Sequence, residues 1–417
     1  MLYWLQMKRY FGPEFFAGNR ARLRAQVGGA ELIVITANGV MQRGGDEPLP
    51  FHQDSNFWYL TGLNGADLTL AMHGAREYLI VPGLSAVREA FDGAHDLAEY
   101  ATRSGITELL PERAGWQLLR EQVRTARKVA TLGSPPEHLP VYGIYTLPYR
   151  RRLIARLKRM APGLEVHDIR TDFVTMRSIK QPAELQAIRH SIDITCETLL
   201  EVRDRLPHVK YEYELEATIS YGFRSRGADG HAFDPIVAAG KHSTTLHHLD
   251  NDGTIEPEDL VVVDIGAEVE HYAADVARTI SQSPISGRKA DVWRAVAEAQ
   301  DYAFSLIKPG VMPLDYEKDV EKFIGDKLLQ LGVIKEASRE NIRRHFPHAT
   351  SHFLGLDTHD TGDYRAPWQA GMVLACEPGI YIPAEQIGVR IEEDVLITET
   401  GCEVLSKACP RALTPVQ

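Results

Sequence analysis

Cysteine is scarce in this chain. There are four in 417 residues, Cys196, Cys376, Cys402 and Cys409. So few cannot form the disulfide framework of a secreted scaffold, and their spacing shows no paired metal motif. Reduced thiols in a cytoplasmic protein are the expectation. Positive charge is also short: 46 Lys and Arg stand against 57 Asp and Glu, a net charge of −11. That balance argues against nucleic acid as the main ligand. Long apolar runs are missing, since no stretch approaches the roughly eighteen apolar residues that span a bilayer. The opening "MLYWLQMKRY" lacks a charged n-region, a full apolar core and a small-residue cleavage site, so neither a signal peptide nor a membrane anchor is expected. No short internal repeat or low-complexity tract is visible.

What is present is ordinary globular composition, 44% apolar and 25% charged. A length of 417 residues exceeds what one hydrophobic core usually organises, so two domains are expected. In the first part, "ELIVIT" (Glu31 to Thr36) and "EYLIVPG" read as buried strands, and "PYRRRLIARLKRMAP" as a basic amphipathic helix with a solvated charged face. A long helix begins in "MRSIKQPAELQ", where Pro182 suits the first turn and Glu184 the positive end of the helix dipole. The domain boundary is placed just before it, giving domains at 1–171 and 172–417. In "DVWRAVAEAQDYAFSLI", Val292, Val296, Ala299, Ala303 and Ile307 fall at helical spacing, and Pro309-Gly310 ends the run. "DYEKDVEKFIGDKLLQLGVI" predicts a further helix.

The second half carries acids at the ends of apolar strands. "DLVVVDIGAEV" ends its apolar run at Asp264, and "HYAADVARTI" carries Asp275. A hairpin turning around Val269 and Glu270 would set these two acids opposite each other, with Cβ atoms about 4.5–5.5 Å apart. Two ionised carboxylates so close inside apolar strands call for a cation or a shared proton. The pattern recurs: "GMVLACEPGIYI" carries Glu377, and "IGVRIEEDVLIT" carries Glu392 and Glu393. A turn near Ala384 and Glu385 would set Glu377 opposite Glu392. Local physics does not choose between Glu392 and Glu393, which point to opposite faces of one strand. The segment "HATSHFLGLDTHD", His348 to Asp360, adds three histidines spaced four and seven apart. Each acid alone reads as a solvated strand end. Two acid pairs beside a source of imidazole nitrogen form a donor set for two divalent cations; oxygen-rich ligation with one imidazole suits Mn²⁺ and admits Co²⁺, Fe²⁺ or Zn²⁺.

This order of motifs, with "SHFLGLDTHD", "EPGIY" and "VRIEED", resembles the metal-dependent peptidases of the pita-bread fold. The resemblance is closest to the proline-specific branch, aminopeptidase P and prolidase, and extends over nearly the whole chain. "FHQDSNFWYLTG" looks like that branch's N-terminal domain. The implied fold is α/β (α+β), a C-terminal pita-bread domain with a smaller mixed α/β N-terminal domain. The implied ligands of two metal ions are Asp264, Asp275, His352, Glu377 and Glu392, with Asp275 and Glu392 bridging. Glu392 is preferred over Glu393 because it stands two residues after Arg390, which would hold a carboxylate in place. His247, preferred by spacing over His248, joins His348 and His359 as a histidine lining the substrate cleft. The implied reaction is release of an N-terminal residue that precedes proline, by attack of a hydroxide bridging the two metals. Glu377 would shuttle the proton to the leaving nitrogen, and His348 would help hold the oxyanion. Proline in second position makes the scissile bond a tertiary amide with no N–H, which explains a dedicated pocket; Tyr381 is placed to help shape it.

Two departures from the family pattern stand out. "DTGDYRAPWQAG" is short, and Arg365 within it is a candidate clamp for a substrate carboxylate, which would make the enzyme a prolidase. Phe91 replaces a tryptophan that in the family can reach a neighbouring subunit's cleft, and a homo-oligomer, dimer or tetramer, is implied. The rival from another class is a pita-bread binding protein without peptidase activity; such relatives lack the ligand set that is filled here.

Overall fold

The computed structural model describes residues 10–28, 32–134, 139 and 143–417. The opening segment and Glu31, the first residue of the expected "ELIVIT" strand, lie outside the described residues. The chain divides into two compact units, one of residues 11–176 and one that includes Tyr10 and Arg177–Gln417. The helix Arg170–Ser178 contains the point of division.

The first unit is built on a six-stranded mixed sheet. Its strand order is Leu109–Pro111, Arg76–Val81, Thr69–His73, Leu32–Thr36, Lys128–Thr131 and Glu165–Asp168. The two antiparallel pairings join Leu32–Thr36, Thr69–His73 and Arg76–Val81, and the outer three are parallel. The basic segment is the helix Tyr149–Met160, whose Leu153 and Leu157 pack with Leu119, Val123 and the strand residues Val34 and Val129. Asp54, in "FHQDSNFWYLTG", caps the helix Ser55–Thr61 through the N–H groups of Asn56 and Phe57, and Arg150 pairs with it at 2.7 Å. A cavity of about 440 Å³ opens in this unit beside Trp116, Tyr149 and Arg156. It contains none of the candidate site residues.

In the second unit, long helices back short, acid-bearing strands. Pro182–Arg205 starts with proline in its first turn, and Glu184 accepts the N–H of Gln181 at 2.9 Å. Gly287–Leu306 buries Val292, Val296, Ala299 and Ala303, one stripe at helical spacing, with Ile307 buried just beyond its end. They share a core with Val320, Ile324 and Leu328 of Pro313–Gln330. Ile236–Ala239, Val261–Ile265 and Val276–Ile280 form one antiparallel sheet. Ser351–Phe353, Val373–Cys376, Glu393–Ile397 and Cys402–Val404 form another. Gly379–Ile382 pairs with Ile387–Arg390. No helix among the described residues is long and apolar enough to cross a membrane.

The first acid-bearing hairpin differs from the sequence expectation in register. Its turn is Glu270-His271, with φ of 47° and 67°, and Val269 pairs with Tyr272. Positive φ at both central residues is the two-residue turn that matches strand twist. A β-branched valine resists that conformation, so Val269 stays in the strand and the turn moves one residue on. Asp264 therefore faces Ala277 rather than Asp275. The same register sets Asp275 across from Gly266, where a Cβ would stand 1.8 Å from the carbonyl oxygen of Ala274. Asp264 and Asp275 become diagonal neighbours on one face, since the offset is two residues.

The second hairpin keeps one register throughout. Cys376 faces Glu393 and Gly379 faces Arg390. Between these two ladders the same register leaves Glu377 across from Glu392.

Candidate metal centre

Four acids, Asp264 within a strand and Asp275, Glu377 and Glu392 just beside strand ends, converge with one histidine. His352 Nε2 lies 3.4 Å from Asp275 Oδ2, 3.7 Å from Glu377 Oε1 and 3.9 Å from Glu392 Oε1. Asp264 enters from its diagonal position and is held by Arg390, whose Nη2 donates to Oδ2 at 2.6 Å. Side chains here are nearly sealed: Asp264, Asp275, His352 and Glu392 are all buried.

Burial without enough cationic partners sets the protonation. Burial pushes the Asp275 carboxyl well above its ordinary range, and the neighbouring Asp264 charge pushes it further. Glu392 is driven the same way by burial and by Asp275. Burial also pushes Glu377 up to about 8, although His352 and Arg390 pull the other way. Arg390 alone is too little to offset four carboxylates.

The donors fit divalent metal. Asp264 Oδ1 is buried and has no hydrogen-bond partner, as expected of an oxygen reserved for a cation. His352 turns Nδ1 toward the carbonyl of Phe353 at 3.0 Å. With the proton on Nδ1, the Nε2 lone pair faces the carboxylates, the arrangement that orients a metal-ligating histidine. Asp275, His352 and Glu392 bring one donor atom each within 4.8 Å of one another.

Around this centre stand the other sequence candidates. The Tyr381 hydroxyl accepts from Arg390 Nη1 at 3.1 Å and lies 2.9 Å from His348 Nε2. His348 Nδ1 bonds the carbonyl of Ala349 at 2.8 Å, so Nε2 is the acceptor of the tyrosine proton. Burial lowers His348 to about 3, helped by the positive charge of Arg390. His359 meets the His352 ring edge-on at 4.3 Å, and burial and His352 lower it to about 4. His247 is exposed but close enough to lower both of these histidines. His248, its neighbour, turns away to Glu212 at 2.8 Å. Glu393 likewise turns away from the centre, to Arg278 at 2.9 Å and to the Ser406 hydroxyl. Arg365 is exposed, and its backbone N–H bonds Asp363 at 2.8 Å. Among the described residues its guanidinium meets none of the candidate site residues.

Supports that sequence reasoning passed over are buried and charged. Arg278 donates to the carbonyls of Ala277 and Glu392 at 2.9 and 2.7 Å, tying the two acid-bearing strands together. Asp394 accepts the N–H of Asp275 at 3.0 Å. Glu317 accepts the N–H groups of Thr350 and Ser351 at 2.9 and 3.0 Å, anchoring the strand that carries His352. Asp360, next to His359, is clamped by Arg177 at 2.5 Å and Lys180 at 3.0 Å. The available signal was an arginine inside the apolar run of "VARTI", which has to find buried partners.

The likeness to known proteins agrees with this geometry. Residues 186–399 match metallopeptidase family M24, and residues 16–130 match the aminopeptidase P N-terminal domain. Xaa-Pro aminopeptidase 3 of Homo sapiens is 30% identical, over 94% of this chain and 82% of that protein. Xaa-Pro aminopeptidase of Escherichia coli is 28% identical, over 94% of each. The solved structure of aminopeptidase P from E. coli in its low-pH form superposes with a TM-score of 0.87 at 26% identity, covering 97% of both chains. Aminopeptidase PepP of Pseudomonas aeruginosa gives 0.85 at 27% identity, over 97% of this chain and 96% of that one. With a carboxylate–histidine centre fit for divalent metal and a matching domain on each side of residue 176, the chain belongs to metallopeptidase family M24.

Proposed function

We propose that the protein is a metal-dependent exopeptidase that releases the N-terminal residue from peptides with proline in second position. One observation carries this above the rest: Asp264, Asp275, His352, Glu377 and Glu392, scattered over more than a hundred positions, converge at a buried site whose four acids outnumber their one arginine. These five would hold two divalent ions, with Mn²⁺ favoured by the oxygen-rich set. When bound, such ions supply a water acidified for attack and polarise the scissile carbonyl.

The chain's own residues do the remaining work. Glu377, ionised once metal offsets the crowded acids, would take a proton from the nucleophile and pass it to the leaving proline nitrogen. His247 and His359 would stand at the scissile carbonyl and hold its developing negative charge. Both His348 and His359 are kept neutral by burial. His359 would donate without adding charge, whereas His348 spends its one N–H on Ala349 and accepts the Tyr381 proton at Nε2, so it lines the cleft and orients Tyr381. Arg390 fixes Asp264 and, through Tyr381, the ring of His348. Tyr381 also walls the proline pocket.

Among the described residues the Arg365 guanidinium meets none of the candidate site residues, and the similar proteins are Xaa-Pro aminopeptidases. This supports the aminopeptidase over the prolidase. Assembly into a homo-oligomer belongs to the same proposal, with the 86% exposed Phe91 as its supporting observation. The test is kcat/KM on Xaa-Pro against Xaa-Pro-Yaa and longer peptides at one Mn²⁺ concentration. Cleavage of the tripeptide and longer chains is expected. Cleavage of the dipeptide alone would make the protein a prolidase, and protein that retained no transition metal after Mn²⁺ loading would overturn the metallopeptidase.

A further inference from the structure

A second group of metal-binding side chains shares no residue with the five-donor centre. Glu212 opens the helix Glu212–Ser225, and its carboxylate is fully buried. The N–H groups of Ala239 and Gly253 donate to its two oxygens, each at 2.7 Å. His242 Nδ1 lies 3.0 Å from Oε1, and His248 Nε2 lies 2.8 Å from Oε2. The two imidazole rings are 4.1 Å apart between centroids. Asp252 completes the group: one donor atom from each of Glu212, His242, His248 and Asp252 lies within 4.8 Å of the others. The backbone is fitted to this cluster, because a Cβ on Gly253 would stand 2.7 Å from the His242 ring and 2.8 Å from Glu212 Oε2.

We propose that Glu212, His242, His248 and Asp252 form a separate binding site for a zinc-like divalent cation. Two imidazole nitrogens and two carboxylate oxygens are the donor chemistry of four-coordinate zinc. Two carboxylates balance the ion's charge, so no net charge is buried. The backbone donors of Ala239 and Gly253 already aim the Glu212 oxygens, as outer partners of a ligating carboxylate do. Each imidazole needs only to carry its proton on the other ring nitrogen, His242 on Nε2 and His248 on Nδ1, to offer a lone pair. Solvent reaches the group through Asp252, which is exposed, and His242, which is 24% exposed, giving the ion a path in.

The position gives the site a role. His242, His248 and Asp252 all lie on the segment that carries His247, and Leu246 there accepts from Arg390 at 3.3 Å. An ion joining these residues to Glu212 ties the segment on both sides of His247. It positions that histidine and takes no part in the bond cleavage itself.

Cobalt is the probe, because Co²⁺ bound by four such donors absorbs strongly in the visible. The full chain carrying Asp275→Ala, which disables the five-donor centre, is titrated with Co²⁺. A visible band that Zn²⁺ displaces is expected, and it should vanish when His242→Ala and His248→Ala are added. No band, or a band that survives the two histidine substitutions, overturns the proposal. An independent arm avoids Asp275→Ala. After dialysis against Zn²⁺, elemental analysis of the otherwise unaltered chain should lose one ion per chain on introducing His242→Ala and His248→Ala. Unchanged zinc content would overturn the site while leaving the peptidase proposal intact.

Discussion

The five-donor centre and the Glu212 cluster face opposite electrostatic problems within one unit of the chain. At the first, four acids crowd around one imidazole and one arginine, and burial drives Asp275, Glu377 and Glu392 toward their protonated forms. At the second, a single fully buried carboxylate is met by two backbone N–H groups and two imidazoles. Glu212 is accordingly lowered despite its burial. The lesson is about demand for a cation. A centre with surplus acid is stable and ionised only with metal, whereas a satisfied carboxylate stands without one and takes metal as an option. The second site should therefore bind more weakly than the first.

The sharpest way to break this contrast is at its most crowded acid. Asp275→Ala should abolish both tight metal binding and peptidase activity, read by elemental analysis and kcat/KM, because no neighbouring group can replace a shared carboxylate. Glu212→Gln should leave metal at the five-donor centre. If the two variants lost catalytic metal equally, the distinction would collapse.

The adjacent histidines divide the two regions more finely. His247→Ala should cut kcat by about a hundredfold, the usual cost of losing one oxyanion donor, with catalytic metal retained. His248→Ala should cost less, because its ring faces Glu212. A larger loss from His248→Ala than from His247→Ala would reverse their assignment.

Arg390→Lys tests the cation beside the acids. It keeps the charge but loses the fork that reaches Asp264 and Tyr381 together. A ten- to hundredfold fall in metal affinity or activity is expected, as for other partners of metal ligands. An unchanged metal titration and unchanged kcat would remove Arg390 from the centre.

The smallest effect is on stability. In metal-free protein, the unfolded chain releases its carboxyl protons near pH 4, while Glu377 in the fold holds its proton to about 8. Between those values the unfolded state binds fewer protons than the folded one, so stability falls as pH rises. The melting temperature of chelator-treated protein should decline across that window, and Mn²⁺ should suppress the decline. A metal-free melting temperature that rose with pH would contradict the surplus of acid.

Several elements were legible before folding was considered. The stripe from Val292 to Ala303 predicted its helix because burial repeats every three to four residues. Apolar runs ending in acids marked the strands, and an excess of acids near a histidine-rich segment announced a metal centre without using any distant contact. What the sequence by itself determined was therefore local: residue chemistry and periodicity, with the turn placed one residue early at Val269-Glu270. Only the tertiary structure decided that Asp264 meets Asp275 diagonally, because register depends on which residues occupy the turn. It also separated His247 from His248 and Glu392 from Glu393, since alternate residues leave in different directions and the partner waiting on each side comes from far away in the chain. Arg278, Glu317 and Asp360 became supports only when folding buried their charges and forced them to find partners.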